Sequence, residues 1–105
     1  MPEETIDIVL YMTDGLPCIL ADKFIESLIQ LLPKNIRVSY RKEEVNEEKK
    51  FEELVERYNI DGLPFILVIK DGKEIKITGF DPAEIEKAIL GKVMFSKQQS
   101  FEGVC

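Results

Sequence analysis

The chain has 105 residues, of which 45% are hydrophobic and 32% charged, as expected for one soluble globular domain with a single core. Its net charge of -6 argues against general binding to nucleic acid or anionic lipid, because both need clustered lysine and arginine. No apolar run approaches the roughly 20 residues of a membrane span, and the acidic start Met1-Pro2-Glu3-Glu4 is unlike a signal peptide, so we expect a cytoplasmic protein.

The first part of the chain predicts a strand, a helix and a second strand. Residues 6–12 are nearly all apolar, as in a central strand that is covered on both faces. Residues 13–17 predict a turn that places Pro17 at the start of a helix, where its missing N–H costs nothing. The helix should end at Pro33. We expect an inward face of Ile19, Leu20, Phe24, Ile25, Leu28, Ile29 and Leu32, and an outward face of Asp22, Lys23, Glu26 and Gln30.

The rest of the chain predicts three strands and two helices in a mixed order. Residues 36–41 alternate apolar and polar, as in an edge strand. Residues 42–57 are dense in charge, but helical spacing is kept by Val45, Phe51, Leu54, Val55 and Tyr58. This spacing predicts a solvated helix with a narrow buried stripe. Residues 65–69 predict a second central strand, and residues 74–78 a second edge strand after an Asp71-Gly72 hairpin turn.

The last predicted helix has a marked start and a marked end. Asp81 is suited to the N-cap, Pro82 to the first helical position, and Gly91 to the C-terminal stop. The order β-α-β-α-β-β-α predicts an α/β fold in which the first and third strands lie in the middle of a four-stranded sheet. We assign residues 1–91 to one domain and residues 92–105 to a C-terminal tail. The tail either docks on the domain or another subunit, or simply frays.

Two proline motifs carry a family resemblance. Gly15-Leu16-Pro17-Cys18 opens the first helix, and Gly62-Leu63-Pro64 opens the third strand. In this element order, residues 6–90 resemble the thioredoxin and glutaredoxin family. The resemblance implies a thioredoxin-like three-layer α/β/α fold with a four-stranded mixed sheet, the third strand antiparallel to the first. It also implies that Pro64 is a cis-proline facing the site, and that the protein acts in thiol–disulfide redox.

The chain departs from the family's Cys-x-x-Cys motif at the first position. Gly15 stands where the family carries its attacking cysteine, and Cys18 matches the second, resolving cysteine. Thioredoxins also carry a buried acid and a tryptophan, and the matching positions here are Val9 and Asp14. Because no disulfide can form within this motif, we expect poor turnover on protein disulfides.

Cys18 has two interpretations. Unpaired N–H groups and the helix dipole at a helix start favour the thiolate. We therefore expect a sulfur presented at the mouth of the helix, opposite Pro64, that attacks disulfides or is capped by glutathione as co-substrate. In the other interpretation Cys18 is partly buried and packs as a small hydrophobic residue. Cys105 is either a resolving partner for Cys18 or a terminal thiol without a role.

A binding module that kept the fold and lost the chemistry is the alternative function. The predicted substrate-binding residues are Gly15, Leu16, Pro17, Leu63 and Pro64, and the backbone of Leu63 is suited to pair with an extended peptide. The expected partner is a protein or peptide with a thiol or disulfide, or an extended peptide, with no nucleic acid and no membrane.

No resident cofactor and no metal site within one chain are predicted, because histidine is absent and the two cysteines match no zinc pattern. A weaker third hypothesis is an iron–sulfur or other metal bridge between two subunits through paired Cys18 thiolates. The oligomeric state stays open.

Overall fold

The computed structural model describes residues 4–91. It contains seven elements in the predicted order: β1 (Glu4–Met12), α1 (Leu16–Gln30), β2 (Ile36–Glu44), α2 (Glu48–Tyr58), β3 (Phe65–Lys70), β4 (Lys73–Thr78) and α3 (Pro82–Leu90). The tail predicted at residues 92–105 lies outside the described part of the chain. None of the helices in residues 4–91 has the length and apolar character needed to cross a membrane.

The strands form one mixed sheet in the order β2-β1-β3-β4. β1 runs parallel to β2 and antiparallel to β3, with Ile8 opposite Val68. β3 and β4 form an antiparallel hairpin, with Ile66 opposite Ile77. The predicted placement of the two apolar strands in the middle of the sheet is therefore confirmed.

Different helices cover the two faces of the sheet. Successive side chains of β3 alternate between the faces, as in any strand. On the face covered by α1 and α3 the buried cluster consists of Ile6, Ile8, Leu10, Ala21, Ile25, Leu28, Ile66, Val68, Ile77, Ile85, Ala88 and Ile89. On the face covered by α2 it consists of Val9, Cys18, Val45, Leu54, Ile60, Leu63, Phe65 and Leu67. The result is the expected three-layer arrangement.

Local turn and cap residues behave as their sequence predicts. The Asp81 carboxylate accepts a hydrogen bond from the Glu84 N–H at 3.3 Å and caps α3. Gly91 follows α3 with φ 84°, a left-handed conformation in which a side chain would be strained. Asp71 and Gly72 have φ values of 53° and 78°, the geometry of a tight two-residue hairpin turn.

The boundary between β2 and α2 differs from the prediction. Residues 42–44, which we assigned to the charged helix, continue β2, and α2 begins only at Glu48. Their backbone groups pair with residues 10–12 of β1, so the parallel ladder outweighs the weak strand preference of the charged side chains. Val45 then lies in the connection, where its N–H donates to the Met12 carbonyl at 2.8 Å.

The expected faces of α1 also need correction. Ile19 and Leu20 were expected inside but are 41% and 36% exposed, whereas Asp22 was expected outside and is buried. The stripe of α1 that faces inward consists of Cys18, Ala21, Asp22, Ile25 and Leu28. Successive side chains of an α-helix point about 100° apart around its axis. Ile19 and Leu20, which directly follow Cys18, therefore lie outside this stripe.

Asp22 is accommodated inside because it is hydrogen-bonded. The Tyr40 hydroxyl of β2 donates to Asp22 Oδ1 at 2.7 Å, and the Lys42 ammonium lies 3.4 Å from Oδ2. A buried carboxylate is tolerated when such partners satisfy it. Burial, the hydrogen bond to Asp22 and the negative charge of Asp22 all raise the pKa of the Tyr40 phenol above its ordinary value of 10.0.

This raised pKa gives a testable dependence of stability on pH. In the unfolded chain Tyr40 ionises near pH 10, but in the folded protein it keeps its proton, so its contribution is full below pH 10 and declines above it. The free energy of unfolding should fall there, by less than the limit of about 1.4 kcal/mol per pH unit and per tyrosine because Tyr40 is only half-buried and solvent screens part of the effect. We expect a shallower fall for Tyr40→Phe in urea unfolding between pH 9 and 11.5. Tyr11, whose pKa is also raised, stays in both proteins. Identical slopes for the two proteins would contradict the assignment.

Candidate functional site

The first turn of α1 forms one side of the candidate site. Gly15 is the N-cap, with φ -70° and ψ 155°, and Pro17 lies in the first helical turn. The Gly15 carbonyl accepts hydrogen bonds from the N–H groups of Cys18 and Ile19, both at 3.1 Å. Leu16 is 65% exposed beside this turn. The predicted motif therefore does open a helix and presents one apolar side chain to solvent.

The Cys18 side chain points inward. It is 0% exposed, and its sulfur accepts a hydrogen bond from the Thr13 N–H at 3.3 Å, with the Thr13 hydroxyl 3.8 Å away. Cys18 is not a free cysteine in this structure. The prediction of an exposed sulfur is therefore wrong. Position 18 lies on the same buried stripe of α1 as Ala21 and Ile25. Cys105 lies outside the described residues.

The start of β3 forms the other side of the site. The Leu63–Pro64 peptide bond is cis, and both residues are buried. The Pro64 carbonyl accepts a hydrogen bond from the Gly79 N–H at 2.7 Å. Leu63 packs in the same cluster as Cys18. The fold thus brings the two predicted proline motifs together on one face of the sheet.

The backbone of Leu63 has no hydrogen-bond partner in the described part of the chain. β3 begins to pair with β1 only at Phe65, opposite Tyr11. Within residues 4–91, neither the N–H nor the C=O of Leu63 makes a hydrogen bond. The fold itself therefore uses neither group, and unpaired backbone groups of this kind can pair with the main chain of an extended ligand.

A groove opens beside Leu63. It has a volume of about 420 Å³ and is lined by Thr13, Val45, Asn46, Glu47, Glu48, Phe51, Asp61, Gly62 and Leu63. Residues 45–48 form one wall of the groove, which the sequence does not predict when these residues are assigned to a helix. Asn46 is the one uncharged polar residue between positions 41 and 50. Asparagine favours turns, so it was the signal for a break there.

Aromatic side chains support the floor of the site. Phe65 stacks on Tyr11 with ring centres 5.7 Å apart and an interplanar angle of 19°, and its ring lies 5.1 Å from that of Tyr58. Burial, followed by the nearby Tyr58, raises the pKa of Tyr11. In the part of the chain that the structure describes, no three side chains of metal-binding type gather.

Comparison with known proteins identifies the fold. No protein-family model and no curated protein matches the sequence. Thioredoxin from Fasciola hepatica is 23% identical, with 84% of this chain and 81% of that one covered and a TM-score of 0.60. Oxidised mitochondrial thioredoxin 3 from Saccharomyces cerevisiae is 22% identical, with 82% and 77% covered and a TM-score of 0.57.

A third solved structure has a TM-score of 0.61 and 23% identity over 85% of this chain and 80% of that one. It concerns the thiol resolving mechanism of yeast mitochondrial 1-Cys peroxiredoxin via the glutathione and thioredoxin systems. At these levels of identity the comparisons establish the architecture. The chain has the thioredoxin fold, as the two proline motifs implied.

Proposed function

We propose that the chain acts in thiol–disulfide exchange, with Cys18 as its one motif cysteine. The observation that carries the proposal is that Cys18 and Leu63, which directly precedes the cis-proline at the start of β3, belong to one buried cluster in a chain with the thioredoxin fold. We place this activity in the cytoplasm, where reductants for such a cycle are present.

The proposed cycle has two exchange steps. First, the Cys18 thiolate attacks a disulfide RS–SR′, a Cys18–S–S–R bond forms, and R′S⁻ leaves. A second thiolate then attacks the Cys18 sulfur and releases RS⁻. Cys105 is the proposed second thiolate, because it is the only other cysteine in the sequence. Glutathione is the alternative co-substrate. Two external monothiols, or one dithiol, then reduce the Cys18–Cys105 disulfide by two further exchanges, leave as their own disulfide, and return both cysteines to the thiol.

The burial of Cys18 limits the rate of this cycle. A sulfur with no exposed surface meets a substrate disulfide only after the site opens locally, so we expect slow turnover. Burial also agrees with the resemblance, in which position 18 matches the resolving cysteine and the attacking position is Gly15. The first exchange step should therefore limit the rate.

Replacement of the sulfur tests the proposal. We expect Cys18→Ser to lose at least about tenfold of the dithiothreitol-dependent reduction of insulin disulfides, because the attacking atom is gone. Cys105→Ser removes the proposed second thiolate instead, for which dithiothreitol can substitute, so it should lose less of the rate than Cys18→Ser. Mass spectrometry after equilibration with oxidised glutathione should show an internal disulfide in the wild type and one bound glutathione in Cys105→Ser. If Cys18→Ser and wild type reduce insulin equally, the redox proposal fails.

A non-catalytic peptide-binding module is the second candidate. The unpaired backbone groups of Leu63 beside the groove favour it, because main-chain pairing needs no sulfur chemistry. A cysteine-free peptide that binds Cys18→Ser as tightly as wild type would support this function.

A further inference from the structure

We infer that the groove beside Leu63 selects extended peptides that carry arginine or lysine. The inference rests on the peptide-binding role of this site, which both proposed functions share, and it names the class of peptide. Three features of the groove carry it: an acidic rim, an apolar floor, and the unpaired backbone of Leu63.

The rim is negatively charged and its charges are not neutralised. Glu47, Glu48 and Asp61 line the groove and are exposed, and none of them forms an ion pair within residues 4–91. The ammonium of Lys50 is held elsewhere, 3.3 Å from Glu43 Oε2 and 3.1 Å from the Glu44 carbonyl. A cationic ligand would therefore meet uncompensated carboxylates.

The helix start beside the groove does not reverse this sign. α2 begins at Glu48, and a helix N-terminus carries roughly half a positive charge. Glu47 and Glu48 bring two full negative charges to the same turn, and Asp61, which also lines the groove, adds a third. The local field thus favours a cation, although a bare helix start would favour an anion.

The apolar floor of the groove favours a cation that has an apolar stem. Val45, Phe51 and Leu63 offer apolar surface below the charged rim. Arginine and lysine combine an apolar stem with a charged head, so they match both layers. A metal ion fits poorly, because within residues 4–91 the carboxylates do not gather into a cluster that could hold one. A peptide main chain can in addition pair with the N–H and C=O of Leu63.

The probe is a short, cysteine-free, fluorescein-labelled peptide of alternating valine and arginine, and the reference peptide has glutamine in place of arginine. By fluorescence anisotropy we expect about tenfold tighter binding of the arginine peptide, and a preference that shrinks as salt rises. The triple variant Glu47→Gln, Glu48→Gln, Asp61→Asn should lose about tenfold of that affinity. All three side chains are exposed, so the variant should fold.

The matched control removes the same charge from outside the groove. Glu52→Gln, Glu53→Gln, Glu56→Gln changes three exposed residues of α2 that do not line the cavity, and we expect affinity within about twofold of wild type. An equal loss in both triple variants, or no preference for arginine at any salt concentration, overturns the inference. Repeating the titration with Cys18→Ser separates the proposals: unchanged selectivity supports the inference even if the redox activity fails.

Discussion

Gly15→Cys should raise the dithiothreitol-dependent reduction of insulin at least about tenfold, because it adds an attacking thiol beside a buried resolving one. Gly15 has φ -70° and ψ 155°, an extended conformation that any residue adopts. It precedes Cys18 by three positions across the first helical turn, a spacing that brings Cβ atoms within about 5–6 Å. Disulfide bonds form readily when the Cβ atoms can approach to about 4 Å.

The control for this prediction is Gly15→Ser, which adds a side chain of similar size without sulfur. It should stay within about twofold of the wild-type rate, since serine cannot take part in disulfide exchange. Peptide mapping by mass spectrometry after mild oxidation should show a disulfide between positions 15 and 18. A Gly15→Cys rate no higher than that of Gly15→Ser would mean that the Cys18 sulfur cannot be reached even from its own helical turn.

The architecture could be predicted because its signals are local. Residues 65–69 are apolar throughout and residues 6–12 are apolar except for Asp7, and this pattern places both strands in the middle of the sheet. Asp81 and Gly91 mark the two ends of α3 through their own backbone preferences. The placement of Cys18 and Leu63 in one cluster then follows from the element order, because Cys18 comes soon after the end of β1, Leu63 just before the start of β3, and these two strands are adjacent and antiparallel.

The environment of single side chains could not be predicted in the same way. The sequence predicts that Asp22 lies at the surface, because it is charged. It is buried instead, because Tyr40, 18 positions away in the chain, donates a hydrogen bond to it. The length of β2 depends on β1, because residues 10–12 of β1 pair through their backbones with the charged residues 42–44. The burial of Cys18 depends on which stripe of α1 meets the sheet. Each outcome is decided by a contact between elements, which a local pattern does not contain.

Phe65→Ala is expected to lower the free energy of unfolding by about 3–5 kcal/mol, as for other large aromatic side chains removed from a core. Phe65 is 0% exposed and opens β3, directly opposite Tyr11. Its ring packs against Tyr11 and Tyr58, and such aromatic pairs add about 0.5–1.5 kcal/mol beyond their buried area. For a domain of this size, whose total stability is about 5–15 kcal/mol, the loss is large.

Urea unfolding followed by circular dichroism measures this loss, and Phe51→Ala is the matched control. Phe51 undergoes the same chemical change on the half-buried face of α2, so its loss should be less than half as large. Equal losses at the two positions would mean that the Tyr11–Phe65–Tyr58 stack is not the main support of this end of the sheet. Because Phe65 directly follows Pro64, the Phe65 variant should also weaken peptide binding at Leu63 at urea concentrations where the protein is still folded.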